Sequence, residues 1–362
     1  MSRIRVIKKG NGDYLVQNQI CQRKMTSYRV LVVTNMWPTE ADPSYGIFVK
    51  EQMDSLRPLG VDFDVVFVNG RESRWNYLRG IWQVRKRLRA KQCDLIHAHF
   101  GLSGWVARFQ LRVPLVMTFL GDDVLGRPRR DGSITPMGRF FQITSYILAR
   151  LVSAVIVQSE EMRRLLRLDS AEVIPCGVDL ELFHPMDHGE ARRLARLDPG
   201  RKYVLFVYNP KEQRKRFDLV EAAVAIAREQ IPEIELLNVR GKPHSELMLY
   251  MNASDVLVMA SMLEGSPNAV KEAMATNLPV ITVDVGDAVE LIGPTAGCHL
   301  VPREAKAIAE KIVEVCRRGA RTNGRNWISK LSMESVAKQN VEVYAGTLRR
   351  YRPRKNPSLL SS

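Results

Sequence analysis

Long apolar runs are missing. No stretch of 18 or more apolar residues occurs in the 362-residue chain, so no membrane-spanning helix is expected. The opening stretch MSRIRVIKKGNGDYLVQNQI has cations but no apolar core and does not read as a secretory signal. Cysteine is scarce: Cys21, Cys93, Cys176, Cys298 and Cys316 are odd in number and show no CxxC spacing. That argues against a disulfide framework or zinc site and for reduced thiols in the cytoplasm. Acid is short relative to base, 39 Asp+Glu against 54 Lys+Arg, for a net charge of +15. What the chain does have is 45% apolar residues, which excludes a wholly disordered protein. At roughly 100–200 residues per domain its length suggests two or three domains.

A charge of +15 invites a nucleic-acid or anionic-membrane reading, and its distribution decides between them. Residues 1–24 hold six bases against Asp13 alone, and the last eighteen residues hold five bases and no acid. The segment RESRWNYLRGIWQVRKRLRAK (71–91) holds eight bases against Glu72; outside it, the body from Met25 to Tyr344 carries about −2. The basicity is therefore local, and no zinc, helix-turn-helix or aromatic RNP pattern supports nucleic acid. Residues 1–24 lack a clean period and are expected to form a weakly ordered basic extension, with Met25 an alternative start.

From Arg29 onward short β-branched runs alternate with helix-length patterns. RVLVVTN (29–35), DFDVVFV (62–68), CDLIHAH (93–99), PLVMTFL (114–120) and SAVIVQS (153–159) read as buried strands. KYVLFVYN (202–209), IELLNVR (234–240), SDVLVMAS (254–261) and LPVITVD (278–284) form a second such series. This rhythm predicts an α/β chain of two doubly wound Rossmann-like domains, 25–188 and 189–340, followed by a helix end and basic tail over 341–362. Ligands bind at the carboxyl ends of such strands, so a cleft between the domains is the expected site.

LEGSPNAVKEAMATNLPVITVD (263–284) is the most informative segment. Ser266 is positioned to cap a helix beginning at Pro267, and the free N–H groups there make an anion site. Asn268 and Glu272, four apart, share one helix face, and Glu264 lies in the preceding turn. N–H donors for a pyrophosphate beside carboxylates for sugar hydroxyls suit a sugar nucleotide. The same pattern also fits an ordinary capped amphipathic helix.

Glu264 and Glu272, with seven residues between them and followed by AMATNLPVI, resemble the E-x7-E motif of family 4 (group 1) retaining glycosyltransferases of the GT-B fold. VIPCGVDLELFHP (173–185) is similar to that family's interdomain signature, and DLIHAHFGLSG (94–104) and RVLVVTNMWP (29–38) to its N-terminal domain. The resemblance spans about 28–345 and is strongest in character to bacterial teichuronic-acid and exopolysaccharide biosynthetic members, through NPKEQRKRFDLVEAA and EGSPNAVKEAM. It implies that Glu272 holds the donor ribose and that Glu264 contacts the transferred sugar. By the same resemblance the Gly265, Ser266 and Asn268 backbone holds the diphosphate, Lys215 neutralises the leaving phosphate, and Gly46 faces the donor phosphates.

Two departures stand out. Asn209 occupies the place of an arginine common in relatives, with Lys211 or Arg214 as candidate substitutes. Leu120 occupies the place of a sugar-contacting histidine in the pattern T-x-H-G-x-D. Asp122, in that same stretch, and His99, at a strand end, are candidate acceptor-side residues. The resemblance implies front-face retaining transfer from a UDP- or GDP-linked sugar, with no divalent metal and no further cofactor. The acceptor it implies is a glycan, expected to be lipid-linked. Segment 71–91, where Trp75, Tyr77, Leu78, Ile81, Trp82 and Leu88 interleave with arginines, is expected either to touch anionic lipid or to pack on the N-terminal sheet. The protein is accordingly expected to be cytoplasmic, with peripheral contact to the inner face of the cell membrane. Two rival readings are a nucleotide-sugar epimerase of the same fold and a non-catalytic basic protein binding membrane or RNA.

Overall fold

The computed structural model describes residues 5–8, 14–17 and 27–351. Two short strands, β1 (Arg5–Lys8) and β2 (Tyr14–Gln17), pair antiparallel. The order expected of the remainder of 1–24, and the basic tail beyond Tyr351, lie outside the described residues.

The first domain is a six-stranded parallel sheet of β3 (Tyr28–Thr34), β4 (Val61–Phe67), β5 (Leu95–His99), β6 (Leu115–Thr118), β7 (Ala154–Val157) and β8 (Glu172–Val173). Their order is β4-β3-β5-β6-β7-β8. β3 shows why its run Val30–Val33 is apolar throughout. Leu31 and Val33 pack into a core with helices Trp75–Ala90, Gly101–Arg108 and Pro136–Ala149, while Val30 and Val32 pack into a second core on the opposite face. A strand covered on both sides has no polar face to show.

The second domain repeats the plan. β9 (Lys202–Phe206), β10 (Ile234–Asn238), β11 (Val256–Met259), β12 (Val280–Thr282) and β13 (His299–Leu300) form a parallel sheet in the order β10-β9-β11-β12-β13. Each sheet reverses its winding beside its first strand, between β3 and β5 and between β9 and β11, and both crevices lie at strand carboxyl ends. The two-domain doubly wound architecture expected from the strand rhythm is the one observed.

The chain passes between the domains twice, side by side. The outward pass runs through Ile174 to Val178. Its return meets it where Val178 N–H donates to Leu331 O (2.9 Å) and Met333 N–H donates to Val178 O (3.0 Å). Val178 and Phe183 already belong to the second domain's core, ahead of the boundary expected after 188. The crossing is buried and so reads as apolar, which pushed the expected boundary to the polar stretch beyond it. Helix Met333–Arg350 runs unbroken through 340 and packs Val336, Ala337 and Tyr344 against Val30, Val32 and Met53 of the first domain. Ser332 caps it by accepting from Ser335 N–H.

Candidate functional site

Two clusters of polar side chains meet at the cleft. In the first, Lys215, on the short turn Gln213–Lys215 beyond β9, places its Nζ 2.5 Å from Glu264 Oε1 and 3.7 Å above the Tyr208 ring. Arg214 stands behind it, 3.9 Å from the other Glu264 oxygen, and donates to the Leu263 carbonyl. Lys215 is 5% exposed, and burial lowers its pKa despite the Glu264 carboxylate. Burial, with Glu264 and Glu272 nearby, holds the Tyr208 hydroxyl well above its ordinary value, so it remains a neutral donor. Two cations thus converge on one carboxylate at the strand ends.

The second cluster is built by helix Asn268–Ala275. Asn268 and Glu272 line one small cavity together with Glu51 and Phe48 of the first domain, Gly177 and Val178 of the crossing, and His244. Asn268 Oδ1 is buried without a hydrogen-bond partner. Burial raises the Glu272 pKa, only partly countered by His244. His244 Nδ1 lies 3.1 Å from Glu51 Oε1 across the domain boundary, and that contact raises the imidazole pKa against the effect of burial.

Gly46 occupies the N-cap of helix Ile47–Asp54 at φ 71°, and a Cβ there would sit 2.4 Å from the Met36 carbonyl carbon. Only glycine fits both constraints. Gly265 lies against the first domain: a Cβ would stand 2.8 Å from Leu120 O and 3.4 Å from the Gly121 Cα. The loop ahead of helix Asn268–Ala275 and the G-D-D stretch therefore touch backbone to backbone.

Several expectations need correcting. Ser266 does not cap the helix; the helix begins at Asn268 with Pro267 as its N-cap and no side-chain cap. The Ser266 hydroxyl instead donates to Asp287 Oδ2 (2.7 Å), whose pKa burial pushes up to about 6. Asn209 spends its side chain on its own turn, accepting from Lys211 N–H (3.1 Å). Arg214 rather than the exposed Lys211 brings the second cation to Glu264. Asp122 lies 3.5 Å from Arg127 Nε, near Arg214. His99 is wholly buried, stacked 4.1 Å from His97, with neither ring nitrogen hydrogen-bonded; burial takes its pKa down to about 3 and keeps it neutral. It does not line the cleft surface.

Four residues that matter here were not anticipated. His244 and Glu51 come from different domains, and no local pattern announces their meeting. Asp123 accepts from the Gly101, Leu120 and Gly121 N–H groups and fixes the loop at the cleft floor. Lys271 is fully buried and donates to Cys176 O (2.7 Å), tying the helix of Glu272 to the interdomain crossing. A signal existed for Lys271: at helical spacing it shares a face with Met274 and Ala275, the buried one.

Residues 23–182 match Glycosyltransferase Family 4 and residues 204–318 match Glycosyl transferases group 1. A putative teichuronic acid biosynthesis glycosyltransferase, TuaC of Bacillus subtilis (strain 168), is 26% identical over 347 residues, covering 78% of this chain and 88% of its own length. Sucrose-phosphate synthase from Thermosynechococcus elongatus superposes with a TM-score of 0.75 at 22% identity, covering 90% of this chain and all of that one. Anabaena Alr3699/HepE in complex with UDP and glucose does so with a TM-score of 0.64 at 16% identity, over 88% of this chain and 99% of that one. Two Rossmann-like domains in this order, each matched by its own half of the family and facing across a cleft lined from both sides, make this chain a group 1 glycosyltransferase of the GT-B fold.

Proposed function

We propose that the chain transfers a sugar, with retention of anomeric configuration, from a UDP- or GDP-linked donor to a lipid-linked glycan in cell-surface or exopolysaccharide biosynthesis. The convergence of Lys215 and Arg214 on Glu264, beside the helix of Asn268 and Glu272, carries this reading. Negative charge builds on the departing diphosphate, and fixed cations in a poorly hydrated cleft stabilise it most where it is largest. Lys215 and Arg214 take that role, which makes a divalent metal unnecessary. Glu272 accepts from the donor's ribose hydroxyls, and the Gly265–Asn268 backbone receives the phosphates. Glu264, held by Lys215, contacts the transferred sugar, and Asp122 lies on the acceptor side. The neighbour in complex with UDP favours a uridine nucleotide, and the teichuronic-acid relative favours an envelope polymer. The exposed Trp75 and Trp82 of the cationic helix favour contact with anionic lipid at the inner face of the cytoplasmic membrane.

Ligand-dependent melting shifts across a nucleotide-sugar panel identify the donor. Turnover is then followed by NMR of the anomeric product, with and without EDTA. The expected result is a retained anomer, formed only with acceptor present, insensitive to EDTA and lost in Glu272→Ala. Epimerised donor without acceptor would replace this reading with the epimerase one.

A further inference from the structure

Exposed apolar surface is concentrated on one part of this molecule. Of fifteen large hydrophobic side chains exposed among the described residues, twelve fall between Trp75 and Leu165 in the first domain, and three in the second. Helix Pro136–Ala149 and the residues just after it supply half of the twelve. Its inner side packs Leu148 and Ala149 into the first domain's core and sets Phe141 edge-on to Phe100. On its outer side Phe140 (52% exposed), Ile143 (60%) and Ile147 (45%) recur at three- and four-residue spacing. The helix contains no acid, and Arg139 is its one charge. A helix with large apolar side chains on its outer face as well as its inner one belongs largely in an apolar surrounding, yet among the described residues nothing covers this outer face.

Charge follows the same layer. Helix Gly101–Arg108 packs between helices Trp75–Ala90 and Pro136–Ala149, and Arg85 Nε donates to Phe109 O (3.1 Å), locking the first of these to the corner that exposes Leu111. Segments 71–91 and 127–150 together carry +11, whereas the rest of 25–344 carries −6. Cations and exposed apolar side chains therefore coincide on a molecule whose remaining body is acidic. That pairing complements an anionic bilayer: headgroups for the arginines, acyl chains for the side chains between them. A water-facing protein partner would need no such apolar breadth, and nucleic acid would need none of the apolar side chains.

The helix also starts at the cleft. Thr135 N–H donates to Arg127 O (2.9 Å), Arg130 pairs with Asp218 of the second domain (2.7 Å), and the same stretch begins at Gly121, which faces Gly265. We propose that helix Pro136–Ala149 beds its outer face in an anionic lipid bilayer with the cationic helix Trp75–Ala90 beside it. This seats the cleft mouth at headgroup level, where a lipid-borne acceptor enters. The bilayer contact stands on the surface alone; the acceptor's route rests on the function proposed above.

The test is co-sedimentation of the full-length protein with phosphatidylcholine vesicles, with and without phosphatidylglycerol, at low and high salt. Wild type is expected to bind only the anionic vesicles and to keep part of that binding at high salt, through the buried side chains. Phe140→Ser/Ile143→Ser/Ile147→Ser should lower partitioning at least about tenfold. Its UDP-induced melting shift should be unchanged, since these side chains are exposed. Turnover of a lipid-linked acceptor should fall in the variant while a water-soluble acceptor is used as before. Wild-type partitioning by the triple variant would overturn the proposal. So would complete loss of wild-type binding in high salt, or a dimer formed through this face that ignores vesicles. Loss of vesicle binding with both acceptors used unchanged would overturn the acceptor route. Vesicle binding without any nucleotide-induced shift would refute the donor reading and leave the bilayer contact standing.

Discussion

Lys215 illustrates how a single side chain was legible by type and not by environment. QRKRFDL reads as a basic turn, and only the similarity to known glycosyltransferases singles out the middle cation. In the fold that lysine is the buried one, held between Tyr208 and Glu264. Lys215→Ala is expected to lower kcat by about 10²–10³ with a smaller change in donor affinity, because the cation acts on charge that develops during transfer. Steady-state kinetics set beside a nucleotide melting shift check this, and an unchanged kcat would remove Lys215 from the chemistry. His244 and Glu51 were illegible for the opposite reason: each is ordinary in its own segment, and their contact exists only once two domains meet. The raised imidazole pKa fixes the sign of its pH dependence. Its stabilising contribution is complete below the unfolded value of about 6.5 and disappears as pH rises through the higher folded value. Wild type should therefore exceed Glu51→Gln in melting temperature more at about pH 6 than at about pH 8.5. An equal or reversed gap would show that the pair does not hold the domains.

At the scale of elements, strands and helices were largely readable because doubly covered parallel strands are predominantly apolar on both faces. Helix starts were less so. Ser266-Pro267 has the composition of a cap, but the nearby Asp287 carboxylate, itself short of partners, draws the hydroxyl away. A buried charge takes a donor more strongly than a helix end that still has solvent and loop to turn to. Gly265 tests how closely the two halves must approach. Its own backbone conformation is one any residue adopts, so an added methyl meets first the Leu120 carbonyl and then the Gln158 Cβ and Gly121 Cα across the boundary. Gly265→Ala should leave stability within about 1 kcal/mol, while turnover falls tenfold or more, roughly the consequence of a sub-ångström misplacement of donor against acceptor. Thermal melting with initial rates separates the two effects. A large stability loss with normal turnover in the folded fraction would show that the contact serves folding instead.

For the whole molecule, the non-local return of the chain decides stability. Helix Met333–Arg350 follows the second domain in sequence but completes the first: Tyr344 is fully buried there, its hydroxyl 2.7 Å from His97 Nδ1 and its ring edge-on to Tyr28. Nothing in the periodicity of 333–350 says which sheet its apolar face will meet, so the sequence shows a helix and not its address. Burial holds the Tyr344 hydroxyl far above its ordinary value and the His97 pKa well below, so both are neutral and the bond is between uncharged groups. Tyr344→Phe then removes one neutral hydrogen bond and should cost about 1–2 kcal/mol, because His97 is left with an unmatched nitrogen. Tyr344→Ala adds an aromatic-sized cavity between helix and sheet and should cost about 3–5 kcal/mol. Because the helix belongs to one domain by packing and to the other by chain order, that loss should appear as one cooperative transition. Calorimetry of Tyr344→Ala resolving an early first-domain transition ahead of an unshifted second would show instead that the domains are thermodynamically independent and that the returning helix only spans them.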